Sequence, residues 1–209
     1  MAVLVTGGAR SGKSRFAERY AERLGTRGLY VATMQESDEE LRARIAAHRL
    51  RRERSGFPWR TVEEPLDLAG VLRQADSAAS PPGEVILIDC LTLWLSNWLL
   101  KLEHAPDAED RLNRLIDELA GAIGAGRRPL IAVTNEVGDG VVPAYPLGRR
   151  FRDLAGWMNQ RVAARCDEVF LVTAGIPVEL KRLASAFGGD LLEEGRRRTE
   201  PDDGFSENH

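Results

Sequence analysis

The chain has 209 residues, 43% of them hydrophobic and 29% charged, which suits one ordinary soluble globular domain. A net charge of −3 gives no general reason to expect a nucleic acid or an anionic membrane as a partner. No apolar run approaches the roughly 20 residues of a membrane-spanning helix, and Met1 leads into a strand-like stretch without a signal peptide. Cys90 and Cys166 lack metal-ligand spacing, which favours buried, reduced cysteines and a cytoplasmic location.

Short, almost continuously apolar runs alternate with helical patterns along the chain. Strands are predicted at 2–6, 28–33, 85–89, 130–134 and 168–173, and helices near 13–24, 38–54, 65–76, 91–102, 108–125 and 147–165. The alternation predicts an α/β fold with a doubly wound, mostly parallel sheet and flanking helices. We expect a single domain over residues 1–187, followed by a flexible, acidic and arginine-rich tail over residues 188–209.

The turn after the first predicted strand carries a phosphate-binding motif. The pattern G-x-x-x-x-G-K-[ST] is filled by Gly7, Gly8, Ala9, Arg10, Ser11, Gly12, Lys13 and Ser14. Glycines let successive backbone N–H groups face phosphate oxygens, and the following helix adds the positive end of its dipole. Lys13 is one of only three lysines among 29 basic residues, and its compact charge is suited to the β- and γ-phosphates. The sequence therefore predicts a P-loop NTPase-type fold that binds a nucleoside triphosphate.

Asp89 closes the predicted strand at 85–89. In such folds an acidic residue at this position supports Mg²⁺, together with a P-loop hydroxyl such as that of Ser14. The alternative is that Asp89 caps the helix predicted to start at Leu91. The sequence leaves both roles open.

His48 lies in a predicted helix, on the face that also carries Leu41 and Ile45. Arg44, Arg51 and Arg52 fall at positions that can surround it. Neighbouring positive charges disfavour imidazolium and leave the imidazole nucleophilic, and the same arginines could bind a polyphosphate. The alternative is a solvated arginine face with a partly buried surface histidine.

Several blocks together resemble the bifunctional adenosylcobinamide kinase/adenosylcobinamide-phosphate guanylyltransferases of cobalamin biosynthesis. They cover about residues 2 to 182 in the family's order: Val5–Ser14, Tyr30–Thr33, Arg44–Arg49, Trp59–Glu63, Asp89–Asn97, Thr134–Pro143, Phe151–Gln160 and Asp167–Val172. The resemblance implies two reactions. ATP or GTP phosphorylates adenosylcobinamide, and GMP from GTP is then transferred to the new phosphate, giving adenosylcobinamide-GDP.

The resemblance also implies roles for individual residues. The family's guanylylated histidine falls on His48, and its nucleotide contacts fall on the P-loop and on Ala32, Thr33, Met34, Arg49, Leu50, Arg51, Arg52, Glu63 and Asp89. It further implies a homotrimer with active sites near subunit contacts. This chain departs from the family's usual pattern in one place, because the segment from Arg49 to Pro58 is a few residues longer.

The remaining polar blocks keep two interpretations each. Thr134–Glu136 follows a strand end and either touches substrate or serves loop and cap chemistry. Glu63 and Glu136 are both candidates for the general base of the kinase step, and the sequence does not rank them. Trp94 and Trp98 favour packing, whereas Trp59 either stacks on a base or serves the structure. The arginines Arg149, Arg150 and Arg152 contact a neighbouring subunit or the corrinoid, or form a solvated face.

Overall fold

A computed structural model describes residues 1–34, 50, 52–77 and 81–184. Its centre is one seven-stranded sheet with strand order β3-β2-β4-β5-β1-β6-β7. The strands are β1 (Ala2–Thr6), β2 (Arg27–Ala32), β3 (Trp59–Glu63), β4 (Glu84–Asp89), β5 (Leu130–Val133), β6 (Glu168–Thr173) and β7 (Ile176–Glu179). All neighbouring strands are parallel except β6 and β7. The predicted doubly wound α/β fold is confirmed.

Six complete helices lie in the described part of the chain, and all but the last connect strands. They are α1 (Lys13–Leu24), α2 (Leu68–Ala75), α3 (Leu91–Lys101), α4 (Ala108–Ala125), α5 (Pro146–Arg165) and the short α6 (Leu180–Leu183). Five of the six predicted helices are present, with small shifts at their ends. The sixth, over residues 38–54, lies mostly outside the described residues, although residues 50 and 52–54 are helical. The predicted tail over residues 188–209 also lies outside them. No described helix is both long and apolar enough to cross a membrane.

The sequence prediction missed the strands β3 and β7. The strand β3 lies at one edge of the sheet and exposes Arg60, Thr61 and Glu63, so it lacks the continuous apolar pattern of a central strand. The strand β7 forms the other edge and follows a tight turn in which Ala174 and Gly175 both have positive φ. Edge strands face solvent on one side, and their composition resembles that of loops.

The two faces of the sheet bury different clusters. On one face Val3, Val5 and Val133 pack with Ala17 and Ala21 of α1. On the other face the larger cluster packs β-strand side chains against α2, α3, α4 and α5. Burial on both sides explains why β1, β4 and β5 read as almost continuous apolar runs.

The strand register aligns the ends that carry the predicted site. Glu63 lies opposite Ala32, Ala32 opposite Asp89, Asp89 opposite Val133, and Val133 opposite Val5. These five positions form one row across β3, β2, β4, β5 and β1. Because side chains in such a row point to the same face, Asp89 and Glu63 lie on the α1 side of the sheet.

Candidate nucleotide-binding site

The phosphate loop joins β1 to α1 as the motif predicts. Gly12 caps α1 in the left-handed conformation, with φ of 96°, and a Cβ on Gly7 would lie 2.4 Å from the backbone oxygen of Val172. The loop is closed by backbone bonds from the Ser11 N–H to the Gly8 oxygen (3.3 Å) and from the Gly175 N–H to the Ser11 oxygen (2.9 Å). Glycine is therefore required both by conformation and by close packing.

Lys13 is buried at the first position of α1. Its Nζ donates to the backbone oxygen of Gly8 at 3.0 Å, so the ammonium group folds back over the loop. The loop's other polar group of interest is Ser11, whose buried Oγ has no hydrogen-bond partner in the described structure. A charge and an unpartnered hydroxyl at a helix N-terminus suit an anionic ligand.

Tyr30 contacts both Asp89 and Arg52 and so links the two residues. The Tyr30 hydroxyl donates to Asp89 Oδ2 at 3.1 Å, and the Arg52 guanidinium carbon lies 3.6 Å from the centroid of the Tyr30 ring. Burial, followed by the Asp89 carboxylate, raises the pKa of the Tyr30 hydroxyl well above its ordinary value. The hydroxyl therefore stays protonated and keeps donating to Asp89.

The capping alternative for Asp89 does not agree with the structure. The residue that caps α3 is Cys90, and no side chain makes a capping hydrogen bond there. Asp89 Oδ1 has no partner among the described residues, while Oδ2 binds Tyr30. The carboxylate is thus available on the α1 face of the sheet.

The donor set fits a magnesium ion. Ser14 supplies a hydroxyl in the first turn of α1, and Asp89 supplies a carboxylate oxygen; both are the hard oxygen donors that Mg²⁺ prefers. The described residues contain no group of three or more His, Cys, Asp and Glu side chains able to hold a metal without help. Two protein ligands match an ion whose remaining positions are filled by phosphate oxygens and water.

The segment of Ala32, Thr33 and Met34 forms the end of β2 and the two residues after it, next to Asp89. Thr33 is fully buried, and its Oγ1 donates to the Cys90 oxygen at 2.7 Å and accepts from the Cys90 N–H at 2.9 Å. Its side chain therefore holds β2 to β4 instead of facing solvent. Ala32 and Met34 are half-buried and accessible at this end of β2.

Two buried donors near β3 lack partners among the described residues. They are Arg52 Nη1 and Trp59 Nε1, and both residues line a cavity of about 500 Å³ together with Phe57 and Thr61. The Trp59 ring packs edge-on to Tyr30, with 6.1 Å between centroids, and lies directly over Gly28. The ring thus packs within the protein, and its N–H and Arg52 Nη1 are enclosed donors without an acceptor among the described residues.

Most of the predicted arginine cluster, including Arg44, lies outside the described residues. His48, Arg49 and Arg51 lie outside the described residues, whereas Leu50 is exposed. Glu63 is exposed at the end of β3. Of the positions assigned by resemblance, the structure brings together the P-loop, Asp89 and, through Tyr30, Arg52.

Sequence reasoning missed a polar cluster beside the phosphate loop. The Thr6 hydroxyl donates to Glu136 Oε1, and Asn159 Nδ2 donates to the same oxygen at 3.2 Å. Thr134 Oγ1 donates to Asn159 Oδ1 at 2.7 Å, and Asn135 Nδ2 donates to Thr92 Oγ1 at 2.9 Å. Thr134 was predicted to touch substrate or to serve loop and cap chemistry, and both it and Thr6 use their hydroxyls inside the protein.

Hydrogen bonds within the chain involve both predicted tryptophans of α3 and one of the three arginines in the first half of α5. Trp94 and Trp98 both donate from Nε1 to the Leu66 oxygen, at 2.7 and 3.0 Å, which confirms a packing role. Arg149 Nη1 donates to the Pro143 and Ala144 oxygens, at 3.2 and 2.6 Å, and so holds the loop before α5.

Comparisons with known proteins identify the family of this chain. A family model described as cobinamide kinase / cobinamide phosphate guanyltransferase matches residues 3–180. A bifunctional adenosylcobalamin biosynthesis protein, CobP of Pseudomonas aeruginosa, is 47% identical over 85% of this chain and 96% of its own length. The CobU proteins of Escherichia coli and Salmonella typhimurium are 41% and 45% identical, each over 87% of this chain and all of its own length.

Two solved structures are much less similar to this chain. The RadB recombinase has a TM-score of 0.43 at 15% identity, covering 81% of this chain and 73% of that one. A KaiC-like protein of Pyrococcus horikoshii has a TM-score of 0.38 at 19% identity, covering 81% and 69%. The sequence matches, which span almost the whole of the described fold, decide the assignment: this chain belongs to the cobinamide kinase / cobinamide phosphate guanyltransferase family.

Proposed function

We propose that this enzyme phosphorylates adenosylcobinamide with ATP or GTP and then transfers GMP from GTP to the resulting phosphate. The product is adenosylcobinamide-GDP, an intermediate of cobalamin biosynthesis. The observation that carries the proposal is that β1, which leads into the P-loop, is aligned through Val5 and Val133 with Asp89. Tyr30 in turn contacts both Asp89 and Arg52. One site thus combines groups for a triphosphate chain with a separate cationic group.

In the first reaction the chain's own residues position the phosphates of the nucleotide and neutralise their charge. Backbone N–H groups of the P-loop and the dipole of α1 hold the phosphates, and Lys13 places its charge at the β- and γ-phosphates. Lys13 reaches the loop from a buried, fixed position. Charge that develops on the transferred phosphoryl group is therefore met by groups that need little reorganisation.

Mg²⁺ is proposed as the cofactor, held by Ser14 and Asp89. When bound, it neutralises charge on the phosphate oxygens of the nucleotide. Tyr30 fixes the Asp89 carboxylate by donating to Oδ2. The other oxygen is left for the ion.

In the second reaction we propose that His48 attacks the α-phosphorus of GTP. A nitrogen–phosphorus bond forms, the bond to the pyrophosphate oxygen breaks, and pyrophosphate leaves. The phosphate of adenosylcobinamide phosphate then takes the guanylyl group and frees the imidazole. Arg49, Arg51 and Arg52 are proposed to hold the triphosphate, with Leu50, Ala32, Thr33, Met34 and Glu63 as further nucleotide contacts. The buried, unpartnered Nη1 of Arg52 supports this assignment.

The proposal extends to the setting of the enzyme. We infer a cytoplasmic homotrimer that uses small-molecule substrates and neither nucleic acid nor a membrane partner. Light scattering would test the assembly directly, with an expected mass three times the 23.1 kDa of one chain. A single-chain mass would contradict it.

An experiment with labelled nucleotide distinguishes the proposed function from two alternatives. A kinase without transferase activity would form no covalent adduct, and a nucleotide-dependent switch would not turn over adenosylcobinamide. The test is incubation with GTP labelled on the α-phosphorus. We expect an acid-labile, base-stable label on the protein that disappears in His48→Ala and persists in His104→Ala, because His104 is an exposed turn residue. Absence of label, or label retained in His48→Ala, would overturn the transferase mechanism.

A further inference from the structure

Glu136 is fixed beside the phosphate loop by contacts from three directions. Its backbone N–H donates to the Gly7 oxygen at 3.4 Å, so the residue lies next to the first position of the P-loop. The preceding Thr134 N–H donates to the Val5 oxygen at 2.9 Å, which keeps the segment after β5 alongside β1. The carboxylate receives hydrogen bonds from Thr6 and Asn159.

Both of these hydrogen bonds reach the same oxygen. Thr6 Oγ1 and Asn159 Nδ2 donate to Oε1, while Oε2 has no hydrogen-bond partner among the described residues. Asn159 is itself held, because Thr134 Oγ1 donates to its Oδ1 and its Nδ2 also donates to the Asn135 oxygen at 3.1 Å. The carboxylate is therefore oriented through one oxygen and left able to accept a proton at the other.

The register separates Glu136 from the other candidate base, Glu63. Glu63 belongs to the row that runs through Ala32, Asp89 and Val133 to Val5. It is four strands away from β1, which at about 4.8 Å per strand places it roughly 19 Å from the strand that carries the phosphate loop. A general base must reach the attacking hydroxyl directly or through one water, so Glu63 is too far from a γ-phosphate held by the P-loop.

We propose that Glu136 is the general base of the kinase step, an assignment that rests on the proposed phosphorylation of adenosylcobinamide. The aminopropanol hydroxyl attacks the γ-phosphorus, its O–H bond breaks, and Glu136 Oε2 takes the proton. A new oxygen–phosphorus bond forms. The bond between the γ-phosphorus and the bridging oxygen breaks, and its electron pair leaves with the nucleoside diphosphate. Thr6 and Asn159 act as positioning residues through Oε1.

The test compares phosphorylation of adenosylcobinamide by the wild type and Glu136→Gln, with ATP as donor. Glutamine keeps an oxygen for Thr6 but cannot take a proton, so kcat is expected to fall by about 10²- to 10⁴-fold with the KM for ATP unchanged. The fall of kcat at acidic pH should disappear with the carboxylate. Glu136→Asp should recover part of the rate. Asp139→Asn, an exposed carboxylate in the same loop, should keep the wild-type rate.

The outcomes distinguish this assignment from the proposed function. If the wild type phosphorylates adenosylcobinamide and Glu136→Gln stays within a few-fold of its kcat, Glu136 is not the base. The same follows if Glu136→Gln loses affinity for ATP but retains the wild-type pH profile, since that pattern describes a structural role. A wild type that cannot phosphorylate adenosylcobinamide overturns both the base and the kinase itself.

Discussion

The two ends of the candidate site differ in how completely the protein satisfies its own polar groups. At the phosphate loop, Lys13 donates to the Gly8 oxygen and backbone bonds close the loop. The one buried side-chain group of this loop without a partner among the described residues is the neutral hydroxyl of Ser11. At the edge near β3, the buried Arg52 Nη1 and Trp59 Nε1 have no partners in the described structure. Because a buried charged donor without an acceptor costs more than a neutral hydroxyl, the end near β3 is the less completely satisfied of the two.

The difference also explains what could be read from the sequence. The phosphate loop is a local structure, since eight consecutive residues hold both the glycines that shape it and the lysine that serves it. The arginine region is assembled from Tyr30 and Asp89, which the pairing of β2 with β4 brings together, and from Arg52, which packs on the Tyr30 ring. A local motif is visible in one stretch of sequence, whereas a contact across strands depends on their order.

The largest expected effect comes from Lys13→Met, which tests the phosphate-loop end of the site. Removing the charge should lower kcat for transfer of the γ-phosphate by about 10²- to 10³-fold, by analogy with the loss of other preorganised electrostatic groups. The measurement is steady-state phosphorylation of adenosylcobinamide. Lys101→Met is the matched control, since Lys101 is exposed on α3 and lies over the Trp98 ring. Equal rates in the two variants would remove Lys13 from the mechanism.

Arg52→Met tests the end of the site near β3. The loss of a charged hydrogen bond, worth about 1.5–3 kcal/mol, should slow guanylylation of the protein by about 10- to 100-fold and affect γ-phosphate transfer less. The change also removes a buried, unpartnered donor. If Arg52 had only a structural role, through its packing on the Tyr30 ring, guanylylation would be unchanged and the free energy of unfolding would fall.

Gly7→Ala tests the packing of the phosphate loop against β6. Its Cβ would lie 2.4 Å from the Val172 backbone oxygen, which cannot move cheaply. Backbone strain of this kind costs about 1–3 kcal/mol, and denaturant unfolding should show a loss of that size. Gly8→Ala is the matched variant, because a Cβ there would meet nothing within 4 Å. A comparable loss in both variants would contradict the packing explanation.

The smallest effect is expected from Tyr30→Phe, which cuts the link between the two ends. One hydrogen bond to Asp89 is lost, so the free energy of unfolding at pH 7 should fall by about 0.5–1.5 kcal/mol. Burial raises the pKa of the Tyr30 hydroxyl above its ordinary value of 10.0. Its contribution to stability is therefore present below pH 10 and is lost as the pH rises through the folded-state pKa.

The pH dependence supplies the check. The difference in unfolding free energy between the wild type and Tyr30→Phe should stay constant up to about pH 10 and shrink above it. Tyr145→Phe is the control, because Tyr145 is 63% exposed and should show no difference at pH 7. A difference between the wild type and Tyr30→Phe that grows above pH 10 would contradict the assignment.

Strands were predictable from the sequence where both faces of the sheet are buried. The strands β1, β4 and β5 are covered on both faces and read as apolar runs, whereas β3 and β7 lie at the edges and were missed. The turn at Ala174 and Gly175 was the one signal for β7. The cluster around Glu136 could not be found from spacing, because Thr6 is 130 positions from it in sequence. Only the adjacency of β1 and β5 joins them.

The most direct test of the central claim is to follow the products made by the purified protein from adenosylcobinamide and GTP. Mass spectrometry should show adenosylcobinamide phosphate first and adenosylcobinamide-GDP later. Lys13→Met should block the first product, and His48→Ala should accumulate it without forming the second. Formation of adenosylcobinamide-GDP by His48→Ala, or absence of any phosphorylated product from the wild type, would contradict the account.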